Sequence, residues 1–86
     1  MAKIRSALKR TRQNEKRRLR NRAIRTTVRT GLKASRSALI QRSEDAQALV
    51  AEAVRALDKA VTKGVVHRNT AARKKSALAR RLASLH

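Results

Sequence analysis

An all-α fold, with three helices packed as an antiparallel bundle, follows from three observations. The chain of 86 residues contains no Pro and only two Gly, so little interrupts a helix. Its apolar residues recur at helical spacing in three separate runs. The runs differ in length, so a long first helix must project beyond the two shorter ones. One domain accommodates them at residues 1–86, with an arm at about 6–22 and a bundle at about 23–86.

The first helix is predicted over about residues 6–41, roughly 50 Å of chain. From Ile24 onward the apolar and small residues Ile24, Val28, Gly31, Leu32, Ser35 and Leu39 share one face. Arg25, Arg29, Lys33 and Arg36 fall beside or opposite that face. This is an amphipathic helix with a core side and a charged side, and it tolerates Gly31 in its interior. Residues 9–22 read KRTRQNEKRRLRNR, with eight basic residues, one acid (Glu15) and one large apolar side chain (Leu19). Here the basic residues point all round the helix axis. A helix charged on every side does not dock on a core, so this segment is the protruding basic arm.

The second helix is predicted over about 44–63. Ser43-Glu44-Asp45 joins a capping residue to two acids, the chemistry of a helix start. The stripe Ala46, Val50, Ala53, Val54, Leu57, Ala60, Val61 supplies its core face, and Gly64 after Lys63 supplies a C-terminal cap. The third helix is predicted over about 68–85, starting near Asn69-Thr70. Its stripe is Ala71, Leu78, Leu82, Leu85, with the small residues Ala72, Ser76, Ala79 and Ala83 alongside to let helices approach. Leu57 and Leu82 are both assigned to core faces, where an Asp would unfold the bundle. Each of these two helices is roughly 30 Å long, which covers only about half of the first.

Charge decides the class of partner. The formal net charge is +19, from 16 Arg and 8 Lys against 5 acids. Residues 1–43 carry 15 basic and 1 acidic, net +14; residues 44–64 carry net −1; residues 65–86 carry net +6. The first and third helices therefore hold the binding surface, and the second faces away from it. The natural partner is a polyanion, bound through its phosphate backbone, and the excess of Arg favours the planar fork over the point charge. Sixteen of the hydrophobic residues are Ala, so the core is thin. Nucleic acid is expected to supply part of the stability by binding the folded form.

A second basic constellation runs from Arg68 to Ser76, RNTAARKKS, and contains no acid. A helix N-terminus attracts phosphate through its free N–H groups and its dipole. Asn69 and Thr70 add neutral donors there, with Arg73 and Lys74 in the next turn. Its bland alternative is a capped helix with a solvated charged face; for the arm it is a solvated basic tail that orders on the polyanion.

Several classes are excluded or disfavoured. With no Cys and only dispersed acids, no metal site of normal spacing can be assembled. His67 suits a capping or phosphate-contacting role better than a ligand role, and terminal His86 carries little. No Gly-rich phosphate loop and no paired carboxylate in a cleft is present, so neither catalysis nor a cofactor is expected. No apolar segment follows the basic N-terminus, so no secretory signal is expected, and no stretch suits a membrane span. Phe, Tyr and Trp are absent, which removes the stacking platforms of single-strand readers. Recognition must rest on shape and phosphate geometry, with few base-edge contacts.

The segments NEKRRLRN at 14–21 and KGVVHRNTAARKKSALA at 63–79 carry a resemblance that runs nearly end to end. The chain resembles the bacterial small-subunit ribosomal protein twenty family. The resemblance implies a three-helix bundle with an extended first helix. It implies direct binding to 16S ribosomal RNA, in the 5′ domain and on the long helix of the 3′ minor domain, with few protein contacts. It also implies a cytoplasmic protein of the small ribosomal subunit that stabilises folded RNA during assembly, and no enzyme activity. Carried onto this chain, the implied RNA contacts on the arm are Lys9, Arg10, Arg12, Lys16, Arg17, Arg18, Arg20, Arg22 and Arg25. On the last helix they are His67, Arg68, Asn69, Thr70, Arg73, Lys74 and Ser76. The chain is a somewhat Arg-rich and Ala-rich version of the family pattern.

The alternative function is a DNA-compacting nucleoid-associated basic protein, which fits net charge equally well but usually shows repeats or apolar wedges that are missing here. A basic membrane-surface helix is disfavoured by the lack of Trp and Phe and by an arm without an apolar face. Inhibition of an acidic protein is the vaguest reading.

Overall fold

The computed structural model describes residues 2–85, with side chains described from residue 4; His86 lies outside the described residues. Three helices account for the fold: α1 at Ala2–Ile40, α2 at Ala46–Thr62 and α3 at Arg68–Ser84. The helix count and order match expectation. The bounds of α1 differ, since it begins at Ala2 rather than near residue 6 and ends one residue early. Nothing in the sequence breaks a helix before residue 6, and helix boundaries are the least legible feature of a sequence.

Both reversals are built the same way. At the end of α1, Arg42 adopts φ 52°, its N–H donates to the Leu39 carbonyl at 3.3 Å and the Ser43 N–H to the Ala38 carbonyl at 2.9 Å. At the end of α2, Gly64 adopts φ 73°, its N–H donates to the Val61 carbonyl at 3.0 Å and the Val65 N–H to the Ala60 carbonyl at 2.9 Å. Each is a left-handed residue closing two of the carbonyls that a helix end leaves free. The chain turns sharply in both places, and successive helices run antiparallel.

The start of α2 departs from the expected residue 44. Glu44 and Asp45 form a turn ahead of the helix, and the first helical turn contains no acid. Asp45 occupies the cap position without a side-chain capping bond. The Ser43 hydroxyl instead accepts the Asp45 N–H at 3.2 Å, and the Ser43 carbonyl accepts the Ala46 N–H at 3.1 Å. This turn follows directly on the left-handed Arg42, and the helix starts two residues downstream of the expected position.

Packing is centred on α2. Its buried residues are Ala46, Val50, Ala53, Leu57 and Ala60, with Val54 and Val61 half-buried beside them, which is the stripe read from the sequence. From α1 come Val28, Leu32, Ser35, Ala38 and Leu39, and from α3 Ala71 and Leu78. Ser35 is fully buried and its hydroxyl donates to the Leu32 carbonyl at 3.0 Å, so the polar atom costs little. At Gly31 the Cα of Ala53 would lie 3.6 Å from an added Cβ, which marks the close approach of α1 and α2.

The third helix corrects one expectation. Ala72, Ser76, Ala79 and Ala83 are exposed, so these small residues are not what lets α3 approach. Lys74 and Lys75 are half-buried in their place. They lie three and four residues after Ala71, on the line that continues to Leu78. Long basic side chains can take such positions by laying their aliphatic stems along apolar surface and keeping the charged end outside it. The Lys75 Nζ ends 2.8 Å from Asp58 of α2, an exposed pair that contributes at most about 1 kcal/mol. Leu82 and Leu85 are only half-buried, which also lowers the expected cost of a charge at Leu82.

The molecule measures 65 × 20 × 13 Å and its radius of gyration is 17.6 Å, against about 12 Å for a compact chain of this length. The excess is the arm. The 39 residues of α1 span roughly 58 Å, whereas the 17 of α2 span roughly 26 Å.

Candidate nucleic-acid interface

Every side chain from Ile4 to Arg20 is exposed; the first half-buried residue of α1 is Asn21, and the first packed against the core is Ile24. The arm residues Lys9, Arg10, Arg12, Lys16, Arg17, Arg18 and Arg20 therefore stand free of the core, as their distribution round the axis predicts. Leu19, at 61% exposed, has no core to enter. Arg22 and Arg25 are also exposed, at the root of the arm. Eight cations lie between residues 4 and 20 with one carboxylate, Glu15, among them. Among the described residues the one ion pair is Lys75–Asp58, so none of the described arm cations is held in an ion pair. At the junction, the Asn21 side-chain oxygen is buried without a hydrogen-bond partner.

The antiparallel course brings the start of α3 to the end of the bundle from which the arm leaves. His67 is the N-cap of α3, with extended backbone (φ −70°, ψ 141°) and its Nδ1 accepting the Asn69 N–H at 3.1 Å. Of the two roles open to His67, capping is the one its Nδ1 performs. One of the N–H groups on which an N-terminal phosphate site would draw is thereby already used. Arg68, Asn69, Thr70, Arg73 and Ser76 are exposed. Ser76 sits on the outer side of α3, and its carbonyl accepts from Arg80 Nε at 3.4 Å.

The structure does not gather the candidate residues into one pocket. It separates them into the arm, the start of α3, and the flank of α3 that faces α1. On that flank Arg73 and Lys74 meet residues that reading along the chain leaves out of the site. Arg36 of α1 and Arg81 of α3 line the same cavity with them. Arg29 and Lys33 line its continuation along α1. The spacing of these α1 residues is visible in the sequence, but their pairing with α3 requires knowing which flanks meet.

Such an arrangement can grip phosphate from several directions, with Arg forks supplying paired donors. Among the described residues, no group of three or more His, Cys, Asp or Glu could hold a metal ion. No helix among them is long and apolar enough to cross a membrane.

Comparison with known proteins identifies the family. Residues 2–83 match the family described as Ribosomal protein S20. The chain is 50% identical over 86 residues to the small ribosomal subunit protein bS20 of Streptomyces griseus, covering 99% of this chain and 98% of the relative. It is 51% identical over 87 residues to bS20 of Carboxydothermus hydrogenoformans, covering 100% and 94%. It is 54% identical over 81 residues to bS20 of Corynebacterium efficiens, covering 93% of both. With a helical bundle, an exposed basic arm and near full-length matches all in agreement, the chain belongs to the ribosomal protein S20 family, a family of structural ribosomal proteins and not of enzymes.

Proposed function

We propose that this protein is a structural component of the small ribosomal subunit, in the cytoplasm, that binds 16S ribosomal RNA directly and stabilises its folded body during assembly. The observation that carries this reading is the arm, exposed on all sides from Ile4 to Arg20, with eight cations against one carboxylate and no ion pair among its described residues. A rod charged all round can lie between several RNA helices and screen their mutual repulsion. The relatives' name, small ribosomal subunit protein bS20, supports the small ribosomal subunit as its setting. The contacts assigned to RNA are the arm cations, with Arg22 and Arg25 at its root and Arg68, Asn69, Thr70, Arg73, Lys74 and Ser76 on α3. His67 is assigned to RNA with them, through the ring nitrogen that its capping bond leaves free, while its Nδ1 fixes the start of that helix. The RNA segments they serve are the 5′ domain and the long helix of the 3′ minor domain.

The test is binding to a folded 16S 5′-domain transcript against duplex DNA of equal length. Excess nonspecific RNA and roughly 0.3 M monovalent salt suppress association through charge alone. Retained preference for the ribosomal transcript is the expected result. Equal binding to both, erased by salt, would put the DNA-compacting reading first.

A further inference from the structure

The basic residues of α1 do not end with the arm. Arg18, Arg22, Arg25, Arg29, Lys33 and Arg36 follow one another at intervals of three and four residues. That spacing places them on one side of the helix, about one per 5.4 Å turn, along roughly 27 Å. All six are exposed. Glu15, the one acid of the arm, lies three residues before the line begins.

Inside the bundle this line becomes one wall of a groove. Arg36 of α1 and Arg73, Lys74 and Arg81 of α3 surround a cavity of about 410 Å³ floored by Leu32 and Leu78. A second cavity continues it along α1 past Lys33 and Arg29, sharing Leu32, Arg36 and Lys74. No acid lines either one. The acids other than Glu15 all lie on α2 or in the turn before it, and Asp58 is engaged by Lys75 on the α2 side of α3. Four basic residues thus line a cavity whose other lining residues, Leu32, Ala77 and Leu78, are apolar, with no acid among them. A cleft lined by one sign of charge with low-dielectric walls concentrates field and counter-ion. An isolated anion would satisfy the groove but leave the line leading to it unused, whereas a phosphodiester backbone uses both.

The geometry points to the α1–α3 groove as a second phosphodiester-binding site, fed by the arginine line of α1. It adds Arg29, Lys33, Arg36 and Arg81 to the RNA-binding surface. Its occupant is a nucleic-acid backbone, and its identity as ribosomal RNA rests on the function proposed above. The groove has a structural consequence as well. Among the three helix pairs α1 and α3 touch least. A phosphate held by Arg36 on one side and by Arg73 and Arg81 on the other ties that loosest pair together.

The experiment uses the full chain with Arg36→Gln and Arg81→Gln. Gln keeps helix propensity and a polar stem but removes the charge. Affinity for the 16S 5′-domain transcript is measured across a salt series, with helix content checked by circular dichroism. The expected outcome is a log-affinity against log-salt slope shallower by roughly 1.5, since each lost phosphate contact removes about 0.7–0.9. The Arg36→Lys, Arg81→Lys variant should keep the slope and lose part of the affinity, because a point charge replaces the fork. Wild-type affinity and slope in the folded Gln variant would overturn the site. Should the pair lose helix content, Arg81→Gln alone decides the matter, with about half the slope change expected. Preference of the unaltered chain for ribosomal RNA over duplex DNA judges the proposed function separately. A flattened slope without that preference would leave the groove standing and remove the ribosomal reading.

Discussion

Arg42 and Gly64 occupy the same place in two helix ends, and only one of them suits it. Both are left-handed, at φ 52° and φ 73°. For a residue with a Cβ that conformation costs roughly 1–2 kcal/mol, which Gly does not pay. Gly restores part of the difference to the unfolded chain through its greater freedom. Arg42→Gly should therefore stabilise the protein by about 0.5–1 kcal/mol. Gly64→Ala should destabilise it by about 1 kcal/mol, a purely backbone effect, because an added Cβ at Gly64 meets nothing within 4 Å. Urea unfolding of the two variants checks both signs, and a loss of stability in Arg42→Gly would mean that this turn is held by the side chain. The same contrast explains what could be read in advance. Gly after a clean amphipathic run announces a cap. Arg does not, so the first reversal could be placed only by its acids and Ser43, and the helix start came out two residues early.

At the scale of elements, the core stripe of α2 was legible although its first residue was not, because a single amphipathic pattern carries that face, and every residue assigned to the stripe is buried or half-buried. On α3 the apolar stripe was legible but the neighbouring alanines misled. Long basic side chains can lie on a core face by their stems, and sequence hydropathy does not show it. The difference sorts two substitutions that look alike along the chain. Leu57 is 0% exposed at the centre of the bundle, so Leu57→Asp buries a charge without a partner and should abolish the folded bundle. Leu82 is half-buried near the end of α3, and Leu82→Asp should cost only about 1–2 kcal/mol. Thermal melts followed by circular dichroism separate these outcomes; equal loss of structure would show that the end of α3 is as essential as the middle of α2. The arm behaves differently again. Replacing Arg17, Arg18 and Arg20 with Ala removes no packing, since all three are exposed. Helix content should hold, and the salt slope of binding to the 5′-domain transcript should fall by roughly 2–3. An unchanged affinity would remove the arm from the RNA-binding surface.

Over the whole molecule, the arm was readable as a binding element because its charges lie in one segment, while the groove was not, because it exists only where two segments distant in sequence are brought together. Charge also sets how the free and bound protein respond to their surroundings. The free chain carries a formal +19 on a thin core, and its cations face one another along α1 and across the α1–α3 groove. Self-repulsion of this kind opposes folding, and it weakens as the Debye length shrinks from about 10 Å at 0.1 M to about 3 Å at 1 M. Added salt should therefore raise the melting temperature of the free protein and increase the helix signal of its arm. The same salt should weaken the complex, because binding gains free energy from the counterions that RNA releases. The two trends have opposite sign and one origin. Melting curves of the free protein and binding isotherms with the 5′-domain transcript, taken over one sodium chloride series, measure both. A free protein that melts lower in higher salt would show that the repulsion among its cations is already relieved within the fold. In that case the unneutralised line and groove could not be the source of its affinity for a polyanion.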